Sequence, residues 1–469
     1  MRVVIIGSGI CGLGAALLLA RDGHDVTVLE RDAAALPDSA QETWDEWDRK
    51  GVAPFRQPHN LMPGLRVLLE RELPDVQEAL ARAGASRYDL LHPLPRSLAD
   101  QSPRAIDDQL WTLTARRPIL EWVFANRALA EPRVTIRRGI RVAGLLHRAG
   151  PASIPHVTGI ATAAGDQITA DLVADASGGQ SRAGEWLRAI GARAPYEEQA
   201  DCGFSYYTRY FRGQQPERKA PTLTPLGTIS LLTLPGDNGT WSVTIFTASN
   251  DQPLKTLRHE QQWTNTVRAH PLHVHCLDGE PLTGVLPMSG VVDRYRRFVV
   301  DGAPVATGFA AVADAWGCTN PSAGRGLSVG FKHALCLRDV LRDGADAPRT
   351  LTEEFHARTE AEIAPWYHAQ IAVDRARFAD MEALRNGEPL RPPTTDLAAR
   401  IRLLLGAMGT DPDLFRAALE YIGTITPVQE ILSRPDVQER LVAAAERLRQ
   451  NRPMPFPGPT RAQLLDLVR

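Results

Sequence analysis

Three glycines and a carboxylate, Gly7, Gly9, Gly12 and Glu30, carry the clearest chemistry in this 469-residue chain. The glycines stand in the spacing G-x-G-x-x-G, directly after the apolar, β-branched run Val3-Val4-Ile5-Ile6. Such a run has the composition of a strand buried on both faces. In this setting Gly7 permits a tight turn, Gly9 lets the backbone approach a pyrophosphate, and Gly12 lets the following helix lie close to the strand. A helix predicted from Ile10 to Arg21 presents free N–H groups and a positive dipole end to the phosphates. A second strand, Asp25 to Leu29, ends at Glu30, whose carboxylate can accept hydrogen bonds from the ribose hydroxyls of an adenosine. An acid there repels a 2′-phosphate, which disfavours NADP. Strand, turn, helix and acid in this order predict a dinucleotide site. At this point FAD and NAD both remain open.

The elements that must position this site follow along the chain. Residues 49–60, Arg49-Lys50-Gly51-Val52-Ala53-Pro54-Phe55-Arg56-Gln57-Pro58-His59-Asn60, read as a loop. Arg49 and Arg56 lie where a pyrophosphate could use their charge. Helices are predicted from Gly64 to Leu73 and from Val76 to Ala83, and Arg117 opens a further helix with Pro118 in its first turn. Val134 to Ile136, Val142 to Leu146, Val157 to Thr162 and Ile168 to Thr169 read as a small inserted antiparallel sheet. A buried strand returns at Leu172-Val173-Ala174 and ends in Asp175-Ala176-Ser177-Gly178. From about Pro195 to Asp301 aromatic and β-branched stretches, among them Phe204 to Phe211, predict an antiparallel substrate domain. A strand, an acid and a glycine-rich helix start recur at Val305 to Asp314 and Asn320-Pro321-Ser322-Ala323-Gly324-Arg325-Gly326. Beyond Thr350 the spacing of apolar residues is helical, and no repeat at a fixed period is present.

Composition bounds the remaining function classes. With 53 basic and 55 acidic residues the formal net charge is −2, so there is no electrostatic reason to expect nucleic acid or an anionic membrane as a partner. The cysteines, Cys11, Cys202, Cys276, Cys318 and Cys336, show neither a C-x-x-C pair nor metal-ligand spacing. They read as reduced thiols, with no metal site expected. The apolar stretch after Arg2 resembles a signal segment, but its removal would destroy the glycine site. No apolar run is long enough to predict an integral membrane segment, and the expected setting is the cytoplasm.

The three separated signatures, Gly7 to Gly12, Asp175 with Gly178, and Asp314 with Pro321 to Gly326, resemble the group A flavoprotein monooxygenase superfamily over roughly residues 1–345. That superfamily has the 4-hydroxybenzoate hydroxylase-like fold. In texture the chain is most similar to the actinobacterial epoxidases of polyketide polyenes. The resemblance implies an α/β fold with a Rossmann-like, glutathione reductase-type FAD domain over residues 1–190 and 290–345. An inserted antiparallel substrate domain would span residues 191–289, and a C-terminal helical cap residues 346–469. It implies FAD as cofactor, with Gly7, Gly9, Gly12, Glu30, Arg31, Arg49, Arg56, Arg117, Asp314, Pro321, Gly324, Gly326 and Leu327 around it. In that family the acid equivalent to Asp314 binds the ribityl or pyrophosphate side. The helix after Gly324 and Gly326 points its N-terminus at the flavin's pyrimidine edge, where a reduced flavin carries negative charge. Where the family has Gly-Asp this chain has Ala313-Asp314, and the added methyl is tolerated if the backbone is not left-handed.

The function implied is insertion of one oxygen atom from O2 into a hydrophobic small molecule by way of a flavin C4a-hydroperoxide. Epoxidation or hydroxylation in secondary metabolism is the expected outcome. His59, Tyr206, Tyr207 and Trp316 are candidate pocket residues, His59 either orienting its loop or facing the flavin. No general acid or base stands out. The Asp-Ala-Ser-Gly strand end is the style of epoxidases, halogenases and isoprenoid reductases, so the electrons would come from NADPH, NADH or a partner flavin reductase. A halogenase needs a relay lysine, yet no lysine lies between Lys50 and Lys219, and Trp44-Asp45-Glu46-Trp47 differs from the halogenase tryptophan motif. An FAD-dependent reductase or cyclase of an isoprenoid or polyketide is the alternative.

Overall fold

The structure, a computed structural model, describes all residues except 53, 96, 99, 345–346 and 451–454. In chain order the elements used below are β1 (Arg2–Ile6), α1 (Ile10–Arg21), β2 (Asp25–Glu30), α2 (Arg117–Leu129), β3 (Val134–Arg138), β4 (Leu172–Asp175), β5 (Phe204–Arg212), β6 (Ile229–Pro235), β7 (Thr240–Ala248), β8 (Phe309–Ala311), α3 (Gly326–Arg342), α4 (Ala364–Asn386) and α5 (Arg461–Leu467). Ala53 of the predicted cationic loop, and the expected boundary between residues 345 and 346, lie outside the described residues.

β8, β4, β1, β2 and β3 form one parallel sheet in that order. Val3 to Ile6 of β1 are buried, as the apolar run requires for a strand covered on both faces. α1 lies against this sheet because Gly12 has no Cβ, which would stand 2.2 Å from the Gly7 carbonyl oxygen. α3 approaches α1 in the same way: a Cβ on Gly330 would stand 2.6 Å from Cys11 Sγ and 2.8 Å from the Ala313 Cβ. The two helices therefore start side by side at the carboxyl edge of the sheet.

One expected sheet divides differently. Val134 to Arg138 does not join the antiparallel insertion but pairs in parallel with β2, setting Glu30 opposite Arg138. A short, half-buried strand carries no signal of its partner's direction, which is set by long-range packing. Val142–Arg148, His156–Thr162 and Gln167–Thr169 do form a three-stranded antiparallel sheet.

The second layer is a larger antiparallel sheet in which β7 sits between β6 and β5. One face buries Tyr207, Phe211, Trp241 and Trp263 together with Leu464 and Val468 at the end of the chain. The other buries Phe204, Tyr206 and Phe246 against Met381 and Phe378 of α4. The C-terminal helices have a core of their own, including Trp366, Ile401 and Tyr421. α4 and α5 pack on opposite faces of the antiparallel sheet. Among the described residues no helix is long and apolar enough to cross a membrane.

A buried ion pair ties the two layers together. Arg116, just before α2, donates from its backbone N and Nε to Asp237 Oδ1 at 2.8 and 3.0 Å, and from Nη2 to Oδ2 at 2.7 Å. Asp237 sits in the turn between β6 and β7 and is fully buried. Desolvating both charges is costly, and three charge-assisted hydrogen bonds offset that cost. Replacing one partner leaves the other charge buried alone. Asp237→Ala should therefore lower stability by about 3–5 kcal/mol in urea unfolding. An unchanged midpoint would show that the pair does not join the layers.

The backbone condition set for Ala313 is not met: its φ is +56°, in the left-handed region. The methyl carries the steric cost that glycine avoids, about 1–2 kcal/mol. His333 of α3 holds the conformation by accepting the Ala313 N–H at Nδ1, 3.1 Å away, while its Nε2 donates to Thr359 Oγ1 at 3.0 Å. Burial pushes this imidazole down to about 3, so it is neutral and able to accept. Ala313→Gly should raise the thermal midpoint, by relief of about 1 kcal/mol. A lowered midpoint would mean that the methyl's packing outweighs the strain.

Candidate flavin site

α1 has no side-chain cap, and its N-cap residue is Gly9. A Cβ on Gly9 would meet no heavy atom within 4 Å, so the first-turn N–H groups of α1 open onto free space. Gly326 at the start of α3 has the same open surroundings, and α3 also lacks a side-chain cap. Cys11 Sγ is 3.9 Å from the Leu327 carbonyl oxygen, which fixes the two starts as neighbours. Two positive helix ends thus face one cleft, an arrangement that favours an anionic group.

Around this cleft the charges form a chain. Glu30 Oε2 accepts from the Ser8 backbone N–H at 3.1 Å, from Ser8 Oγ at 2.6 Å and from Arg49. Oε1 accepts from Asp32 N–H at 2.9 Å and has capacity left for a ribose hydroxyl. Burial works against the Glu30 carboxylate, but Arg49 and these hydrogen bonds outweigh it and hold its pKa below the usual range. Arg49 also donates to Glu121, which is fully buried, and to the Ser8 carbonyl at 3.0 Å. Glu121 in turn accepts from Arg117 Nε at 2.8 Å. Arg117 Nη1 donates to His59 Nε2 at 2.9 Å, and His59 Nδ1–H donates to the Gln57 carbonyl at 2.8 Å. Burial, with the Arg117 guanidinium beside it, pushes His59 down to about 3, which keeps it the neutral acceptor this chain needs. Burial raises the Asp314 carboxyl, and Arg117 pulls it back toward the charged form.

The predicted residues divide into those the cleft gathers and those it does not. Gly7, Gly9, Gly12, Glu30, Arg49, Arg117, Asp314, Gly324, Gly326 and Leu327 all belong to the helix starts and strand ends just described. Pro321 is exposed on a short turn whose Ser322 N–H is capped by Asn320 Oδ1 at 3.1 Å. Arg31 is exposed at the rim and donates to the Gly51 carbonyl at 3.0 Å, gripping the cationic loop from outside.

The other four predicted residues take different places. Arg56 donates to the Trp47 carbonyl at 2.9 Å and lies over the Trp44 ring at 4.7 Å, apart from the charge chain. His59 orients its loop, donating from Nδ1 to the Gln57 carbonyl while its Nε2 accepts from Arg117, and it lines a small cavity with Arg116 and Tyr210. Tyr207 points to the far face of the antiparallel sheet, because successive residues of a strand alternate and Tyr206 takes the near face. Trp316 is buried between His333 and Tyr295, with ring centroids 5.1 and 5.2 Å away, and is a core residue behind the cleft.

Sequence reasoning also missed residues. Glu121 stands four positions after Arg117, the spacing of a helical ion pair, so that link was open to reading. Asn320 is another: its Oδ1 accepts from the Tyr206 hydroxyl, which joins the antiparallel sheet to the loop before α3. Asp374 of α4 accepts from Gln370 Nε2 at 2.7 Å and from Ser322 Oγ at 3.4 Å. Burial raises it to about 7. Nothing local in the sequence links Asp374 to Ser322.

Comparison with known proteins agrees with this geometry. Residues 2–41 match the family model described as FAD dependent oxidoreductase. Protein Rv3254 of Mycobacterium tuberculosis is 26% identical over 455 residues, covering 92% of this chain and 92% of that protein. Among solved structures, PqsL of Pseudomonas aeruginosa in complex with 2-aminobenzoylacetate superposes with a TM-score of 0.58 at 15% identity, covering 81% of this chain and 96% of that one. OxyS anhydrotetracycline hydroxylase from Streptomyces rimosus gives 0.55 at 17% identity, with coverages of 90% and 76%. The Diels-Alderase PyrE3 of pyrroindomycin biosynthesis gives 0.58 at 17% identity, with coverages of 90% and 80%. Residues 2–41 are thus similar to the FAD dependent oxidoreductase family, and the chain has the fold of these solved structures, among them a probable FAD-dependent monooxygenase.

Proposed function

We propose that this protein is an FAD-dependent monooxygenase that places one oxygen atom from O2 on a hydrophobic small molecule, by epoxidation or hydroxylation, in secondary metabolism. The observation that carries this reading is one junction. Two uncapped helix starts face a common cleft, and an aromatic sheet face reaches that cleft through the Tyr206–Asn320 hydrogen bond.

The residues present fit FAD. The Gly7–Gly12 turn and the start of α1 would take the pyrophosphate, and Glu30 the ribose through its remaining acceptor capacity. Arg49 and Arg117 would balance the added negative charge, with Arg31 closing the loop over it. Asp314 would face the ribityl chain. Gly324, Gly326, Leu327 and the Pro321 turn would set the start of α3 at the pyrimidine edge. Bound and reduced, the flavin would supply the two electrons that activate O2.

The chain's own groups do the rest. Phe204, Tyr206 and Phe246 exclude water from the sheet face, and Tyr206 meets Phe246 edge to face at 4.7 Å. Asn320 orients the Tyr206 hydroxyl, and Asp374 holds a proton beside Ser322 near neutral pH. The reductant in this reading is NADPH, NADH or reduced flavin from a partner reductase. A cyclase reading draws support from PyrE3, a Diels-Alderase on the same fold.

The test is to reduce the flavin-loaded protein without oxygen, once with NADPH or NADH and once with an added flavin reductase. Isotopically heavy O2 is then admitted with a panel of polyene and polycyclic aromatic compounds. The expected outcome is oxygen-dependent consumption of reduced flavin and one heavy oxygen atom in the product. A product formed without O2 uptake and without label would favour the cyclase.

A further inference from the structure

Arg138 ends β3, and its side chain has no established purpose within the protein. Its Nη1 and Nη2 are both buried and have no hydrogen-bond partner among the described residues. It shares the core-facing side of β3 with Val134 and Ile136. The charged groups around it are Arg49, Glu30, Glu121 and Asp32. The carboxylates among them are already engaged, Glu30 by Ser8, Asp32 N–H and Arg49, Glu121 by Arg49 and Arg117, and Asp32 by the Gly51 N–H at 3.3 Å. Burial pushes the Arg138 guanidinium below its ordinary pKa, with Arg49 adding to the effect. A half-buried guanidinium with both Nη groups buried and unused is an unfavourable arrangement unless something outside the chain accepts from it.

The sheet shows where that acceptor would come from. Ligands of open parallel sheets lie along the carboxyl ends of the strands. Moving outward along that edge, one meets Gly7 after β1, Glu30 at the end of β2, and Arg138 at the end of β3, in register with Glu30. Neighbouring strands stand about 4.8 Å apart. If the pyrophosphate is at the first position and the ribose at the second, the base of the nucleotide reaches the third. A guanidinium suits a purine twice over, donating to ring nitrogens and stacking on the ring face.

We propose that Arg138 is a recognition residue for the adenosine half of FAD, its two free Nη groups donating to the adenine ring, so that the site selects a dinucleotide over FMN. This rests on the FAD reading of the cleft above. It assigns the adenine to a residue outside the glycine fingerprint. It also accounts for an unpartnered, half-buried charge, because a binding group can be unfavourable in the empty protein and favourable in the loaded one.

Binding measurements on the flavin-free protein test this, using FAD and FMN as separate titrants and the thermal midpoint of the empty protein as a second readout. Arg138→Met keeps the length of the side chain and removes its donors. It should weaken FAD binding about 10- to 100-fold, the scale of a lost hydrogen bond from a charged group. FMN affinity should not change, and the midpoint of the empty protein should hold or rise. Arg138→Lys, with a charge but no planar fork, should fall between. A wild-type protein that binds FAD, beside an Arg138→Met variant that binds it equally well, would overturn the assignment while leaving the FAD site intact. Equal weakening of FAD and FMN, or a lowered midpoint in parallel with FAD loss, would overturn it by assigning Arg138 a structural role. Failure of the wild type to bind FAD would instead remove the reading on which the assignment rests.

Discussion

The structure depends on bringing two uncapped helix starts to the same place. Each leaves several backbone N–H groups without partners, and their dipoles add where they meet. Here the approach is permitted sterically, Gly12 letting α1 close on the sheet and Gly330 letting α3 close on Cys11 of α1. The strained Ala313 backbone belongs to the same construction, since its methyl packs against Gly330 and its N–H is held by His333 of α3.

The charge chain from Glu30 through Arg49, Glu121 and Arg117 to His59 solves a second problem. A dinucleotide site needs carboxylates for sugar hydroxyls and cations for phosphates in the same desolvated volume, and buried charges are tolerated only when paired. The chain alternates sign, and His59 ends it as a neutral acceptor. The adjacent Arg116–Asp237 pair carries the same logic to the antiparallel sheet, so the helix starts and the aromatic face are held in one frame. Tyr206 and Asn320 close that frame from the other side.

Much of the cofactor half was legible in the chain itself, because its determinants are local. Gly7, Gly9, Gly12 and Glu30 lie within one strand-helix-strand unit, and α1 has the predicted bounds Ile10–Arg21. The antiparallel half was not legible in the same way. Tyr206 and Tyr207 looked alike as neighbours in an aromatic run, and strand alternation admits only one of them to the near face. Trp316 follows a signature loop in sequence, yet its size and apolarity draw it into the core with Tyr295 and His333. The pairing of Arg116 with Asp237 spans 121 positions, and the direction of β3 depends on β2 rather than on its own residues. Such links leave no trace in spacing.

The most direct test of the account is a calorimetric titration of the flavin-free protein with FAD, in the wild type and in Gly9→Val. The Gly9 Cβ would enter open space in the empty protein, so the valine should leave the thermal midpoint unchanged while filling the pyrophosphate approach. The account predicts one FAD per wild-type chain and loss of binding in Gly9→Val at an unaltered midpoint. A wild-type protein that binds no FAD, or a valine variant that binds it undiminished, would contradict the claim that the cleft between the two helix starts is the cofactor site.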